Sequence, residues 1–112
     1  MKTFTNQAAQ GDILLRKIGT LPDGIEAVEA ENDSYIVAHS ETGHHHVVPK
    51  ADCSLYQAAN DPMIMYLVVN NDTTLKHLRG FDTHAPIEVK KGNYEIRRQR
   101  EYTPEGWRRV AD

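Results

Sequence analysis

Cysteine is almost missing from this chain of 112 residues. The lone Cys53 excludes an internal disulfide and fits a reducing, cytosolic setting. No apolar run reaches the length that spans a membrane as a helix, and Met1 to Gln10 is polar, which reads as a loose arm and not as a secretory leader. Patterns for a phosphate-binding loop, a dinucleotide-binding turn or a zinc ribbon are all absent. So is a convincing apolar period of 3.6, which excludes a helical bundle. Positive charge is also in deficit: the net charge of −3 argues against general affinity for nucleic acid.

What remains is alternation and turns. Gly11 to Ile18 reads as a strand opened by a turn, and Leu21-Pro22-Asp23-Gly24 is a turn. Further strand-like runs are Ile25–Ala30, Tyr35–Ser40, His44–Val48, Cys53–Ala58, Met63–Asn70 and Thr73–Leu78. Asn60-Asp61-Pro62 and Asn70-Asn71-Asp72 separate the later ones. Ile87–Val89, a Lys-Gly-Asn turn and Tyr94–Tyr102 read as a last hairpin. Thr103 and Pro104 then open a short helical turn reaching Trp107. Short, evenly spaced strands predict an all-β fold, a small barrel or sandwich of antiparallel strands. A length of 112 residues suits one domain with a core of its own, helped by five Tyr and one Trp. The expected division is an arm over residues 1–10 and a single β domain over residues 11–112.

The densest chemistry lies in Thr42-Gly43-His44-His45-His46, which holds three of the six histidines. Imidazole is the commonest metal-ligating side chain. Strand alternation puts His44 and His46 on one face and His45 on the other. Glu41-Thr42-Gly43 reads as a three-residue hairpin loop, which would set Ser40 opposite His44, His39 opposite His45, Ala38 opposite His46 and Val37 opposite Val47. The small partners Ala38 and Ser40 would leave room over His44 and His46 for a metal or ligand. His39 and His45 form a second pair within chelating reach. His77 and His84 flank the loop Leu78–Thr83, and either supplies a third ligand for zinc or iron. The competing reading is a solvent-facing hairpin tip with turn histidines.

Two other features carry weaker chemistry. Cys53 opens an apolar segment without a nucleophile signature, so a small buried hydrophobe is the simpler reading. On the last strand, Arg98 and Arg100 follow Tyr94 and Ile96 on one face. Unpaired charge there would be costly, so these arginines extend past the core, meet a small anionic ligand, or join a second chain as a homo-oligomer. The charge distribution agrees with self-association: residues from Pro86 onward carry a surplus of two positive charges, and the preceding residues five negative.

The two histidines one residue apart on a strand resemble the cupin family of small double-sheet barrels. That resemblance implies a metal inside the barrel held by His44 and His46, with His84 or His77 as the late histidine. The glutamate of the cupin pattern is missing, since Pro49 or Lys50 stands where it is expected. The segments GDILLRKI, ETGHHHVV and YEIRRQREYTPEGWRRVAD also resemble a group of short bacterial and phage proteins of unknown activity; a phage origin would imply the host cytoplasm. Three functions are therefore expected. One is a metal-binding β protein that binds or senses a small ligand. The second is a metal-dependent enzyme of cupin type, with Glu41 and Asp82 as the nearby carboxylates. The third is a phage structural or accessory protein that self-associates through its C-terminal strand.

Overall fold

Alternation of apolar and polar residues builds most of the strands. In the computed structural model, residues 3–38, 45–77, 86–98, 100–103 and 106–109 are described; for His77 and for everything from residue 100 onward, only the backbone is. The strands are β1 (Gln7–Gln10), β2 (Ile13–Ile18), β3 (Glu26–Ala27), β4 (Ser34–Ala38), β5 (His46–Pro49) and β6 (Cys53–Gln57). They continue as β7 (Ile64–Val69), β8 (Thr73–His77), β9 (Ile87–Val89), β10 (Gly92–Arg98), β11 (Arg100–Thr103) and β12 (Gly106–Arg109). A 3-10 turn at Lys50–Asp52 joins β5 to β6. No helix among the described residues is long and apolar enough to cross a membrane.

The strands form a β-sandwich. One sheet has six strands in the order β1-β2-β10-β7-β6-β3, and the other has four in the order β4-β5-β8-β9. Every strand pairing in them is antiparallel. Ile13 and Leu15 of β2, Leu67 and Val69 of β7, and Tyr94 and Ile96 of β10 are buried from one side. Val37, Val48, Leu75 and Ile87 meet them from the other in a single core cluster. Period 2 is what makes this possible, because it lines one face of each strand with apolar side chains that two stacked sheets can share.

Several expectations need correction. Residues Gln7–Gln10, inside the expected arm, form β1 and pair along their whole length with β2. Phe4, ahead of that strand, packs edge-on against Tyr94 with ring centroids 5.9 Å apart. The expected hairpin of Ile87–Val89 with the last strand does not form. β9 pairs with β8 in the small sheet, while β10 joins the large one, so the chain crosses between sheets at Lys90 and Lys91. Asp72 fixes that crossing by accepting the Lys91 backbone N–H at 2.8 Å. Thr103 and Trp107, expected in one helical turn, lie in strands. Those strands, β11 and β12, pair antiparallel, with Tyr102 opposite Trp107.

The sandwich has two unlike ends. At one, the crossings between sheets are tied by Asp52, whose carbonyl accepts from Asn70 N at 2.8 Å and whose carboxylate accepts from the Thr73 hydroxyl at 3.0 Å. At the other lie the β1–β2 turn, the start of β5 and the last residues of β4, β6, β8 and β10. β4 and β8 end and β5 begins at this second end, which places His46 and His77 there.

Candidate functional site

Strand β5 begins with His46, and its burial alternates, with His46 and Val48 inside and Val47 half-buried. Period 2 therefore carries the imidazole into the core, where it is 1% exposed. Two polar residues receive it there. Gln10 ends β1, and Asp12 sits in the β1–β2 turn, which Gly11 makes possible by adopting φ +57°. The Gln10 amide donates from Nε2 to the Leu75 carbonyl at 3.1 Å. That fixes its oxygen toward His46, whose Nδ1 lies 2.9 Å from Gln10 Oε1. The imidazole Nε2 then lies 3.3 Å from Asp12 Oδ1. These contacts tie the large sheet, through β1 and its turn, to β5 and β8 of the small one.

The tautomer follows from the amide. Gln10 Oε1 can only accept, so Nδ1 carries the hydrogen and donates. In a neutral ring the lone pair of Nε2 would then point at a carboxylate oxygen, with both side chains almost completely buried. Two electron-rich atoms at that separation repel in a medium of low dielectric, and a cation between them would relieve that repulsion. A metal fits on two counts. A ligating histidine usually donates its other ring N–H to an acceptor that orients it, which is the position of Gln10. Two ligands about 2.0–2.1 Å from a tetrahedral ion stand about 3.3–3.4 Å apart, and the nitrogen–oxygen separation here is 3.3 Å.

The expected ligands meet this site unevenly. His46 is in it. His77 lies opposite His46 in the β5–β8 pairing, and only its backbone is described. His44 and His84 lie outside the described residues, as do His39, Ser40, Glu41 and Asp82. Ala38 does pair with His46, but a register shift at Val37 then sets Ile36, not Val37, opposite Val47. His46 and Ala38 are both buried. Among the described residues no group of three or more His, Cys, Asp or Glu could hold a metal ion.

Sequence reasoning missed Gln10 and Asp12. The arm reading hid Gln10, although Ala8 and Gln10 alternate on one face as a strand requires. Asp12 was visible as the second residue of a Gly-Asp turn, but only the fold brings that turn to β5. Cys53 is the small buried hydrophobe expected. Burial, and secondarily the charge of Asp52, push its thiol up to about 11, which makes it a poor nucleophile near neutrality.

At the same end, a cleft of about 320 Å3 opens between the sheets. Ile36, Val37 and Ala38 line it from β4, Met65 and Gln57 from the large sheet, and Val28, Pro62, Met63 and Arg98 complete it. Arg98 follows Tyr94 and Ile96 on the inward face, as the alternation predicts, and is half-buried at the core's edge. Arg100 does not continue that strand: it begins β11, of which only the backbone is described.

The model of a family described as a domain of unknown function (DUF8820) matches residues 9–99, most of the chain. No curated protein and no solved structure matches it.

Proposed function

The chain belongs to the DUF8820 family, and we propose that it is a small metal-binding β-sandwich in which His46 and Asp12 hold a divalent transition ion, zinc or iron, in the service of binding or sensing a small ligand. The observation that carries this reading is the 3.3 Å approach of His46 Nε2 to Asp12 Oδ1, with Nδ1 engaged by Gln10. His77, the register partner of His46, is the first candidate for a third ligand. His44 and His84 are the others. A nitrogen–oxygen donor set of this kind suits either ion.

Binding, in preference to catalysis, is supported by the cleft. Among the described residues, those that line it include no carboxylate, imidazole or thiol. The ion would act as a Lewis acid or as a structural tie between the sheets. The residues around it do the positioning, with Gln10 holding the ring and the β1–β2 turn presenting the carboxylate.

Elemental analysis of untagged protein tests the reading. About one ion per chain is expected, with loss of metal in Asp12→Asn and in His77→Ala. Chelation should lower the unfolding temperature of the wild type but not that of Asp12→Asn. If the wild type carries no metal after growth in zinc- and iron-supplemented medium, and chelator leaves its unfolding unchanged, the metal reading is wrong.

A further inference from the structure

Charge is laid out along this chain in blocks. From Ile18 to Pro49 there is no lysine or arginine, and six acids: Asp23, Glu26, Glu29, Glu31, Asp33 and Glu41. The fold sets the middle of that block along the inter-sheet cleft. Glu26 of β3 pairs with Gln57, which lines the cleft. Glu29 follows Val28, another lining residue, and Glu31 bridges to Ser34 at the start of β4. These three acids are exposed, and among the described residues none of them has an ion pair. Arg98, the one cation among the lining residues, already has a partner.

Behind this acidic rim the cleft is apolar, with Val28, Ile36, Met63 and Met65 in its walls. Its two methionines adapt to the shape of what they meet, since the thioether is unbranched and polarisable. Its volume of about 320 Å3 stands at the lower end of the range of about 300–1,000 Å3 for binding sites, which suits a bulky side chain. β4 is the outer strand of its sheet and β3 of the other, so no further strand of either sheet closes this side.

The β11–β12 hairpin has the complementary character. Its register sets Tyr102 opposite Trp107 and Arg100 opposite Arg109. Strand alternation places these four on one face, two aromatics with two cations, while Glu101 and Arg108 share the other. Tyr, Trp and Arg are the residues enriched where proteins bind one another. The hairpin joins neither sheet of its own chain. Only Gln99 separates β11 from β10, and reversing onto the cleft that β10 itself borders takes a loop of about two residues or more.

We infer that the cleft receives the hairpin of a second copy of this chain. The Tyr102–Trp107 pair meets Val28, Ile36, Met63 and Met65, and Arg100 and Arg109 meet Glu26, Glu29 and Glu31. Each copy gives a hairpin and receives one, so the contact is made twice about a two-fold axis and closes as a dimer. A small ligand in the same cleft competes with the hairpin. The dimer uses none of the residues around His46, so it and the metal reading can fail separately.

Sedimentation velocity in chelator tests this with two charge reversals, Glu29→Lys with Glu31→Lys on the rim and Arg100→Glu with Arg109→Glu on the hairpin. The wild type should be a dimer that salt dissociates. Each variant alone sets like charge against like, and should dimerise about a hundredfold more weakly. Mixed in equal amounts, the two regain both contacts, Arg on Glu in one and Glu on Lys in the other. The mixture should dimerise within about tenfold of the wild type. The wild type gives an answer even if a variant fails to fold. On dilution, emission from Trp107, the chain's single tryptophan, should shift to the red. Methyl resonances of Ile36, Met63 and Met65 should move over the same concentration range. A hairpin seated on its own chain, or a cleft reserved for another partner, leaves the wild type monomeric. That result would overturn the inference, as would a dimer whose cleft resonances stay fixed on dilution. So would folded variants that dimerise no better mixed than apart.

Discussion

At the residue scale, His46 decides more than its share. The buried imidazole is held at Nδ1 by Gln10, itself held by Leu75, and its Nε2 approaches Asp12 at 3.3 Å. Removing the ring strands a buried carboxylate and leaves the Gln10 oxygen without its donor. His46→Ala is therefore expected to cost about 1–3 kcal/mol, the range for leaving a buried polar group without its partner. His45→Ala, one residue away and half-buried, should cost under about 1 kcal/mol. Urea unfolding of the two variants makes the comparison; equal costs would mean that His46 is an ordinary surface residue. Three adjacent histidines look alike in sequence, and burial alone separates the last two.

At the element scale, β1 shows how a polar segment becomes structural. Gln7, Ala8, Ala9 and Gln10 have weak strand propensity and little apolar character, yet Ala8 and Gln10 are both buried. The pairing with β2 sets the register, and the Gly11-Asp12 turn closes it. Deleting residues 1–10 should thus destabilise the protein by several kcal/mol, while deleting Met1 and Lys2 alone should be nearly silent. Thermal unfolding of both truncations checks this, and equal melting temperatures would restore the arm reading. Bulged β4 makes a related point. Pairing Ala38 with His46 was legible from the turn residues, but the extra residue at Val37 was not, because a register shift is set by packing and not by the pattern of the strand itself.

For the whole molecule, the hairpin of β11 and β12 joins neither sheet. Its strands pair with each other, and among the described strands no third one pairs with them, so their outer edges could receive another strand. The seven basic residues from Lys90 onward face an acidic excess in the rest of the sequence. Self-association through this hairpin is expected, and it should weaken with salt because its attraction is partly between surface charges. A chain ending at Arg98 should sediment as a monomer at concentrations where the full chain does not. A full chain that is monomeric at every concentration would remove the interface.

The sequence by itself determined the all-β class, the positions of β2 and of β4 to β9 within a few residues, and the fate of Cys53. Each of these depends on local alternation, turn chemistry or residue type, all of which act over a few neighbours. Only the tertiary structure decided the rest. Strand order across two sheets places Gln10 and Asp12 beside a histidine more than thirty positions away. The same stacking turns the expected hairpin at Lys90 and Lys91 into a crossing between sheets, and brings Arg98 to a cleft walled by β4. Such contacts satisfy buried polar groups across distant segments, and no period in a linear sequence records which segments those will be.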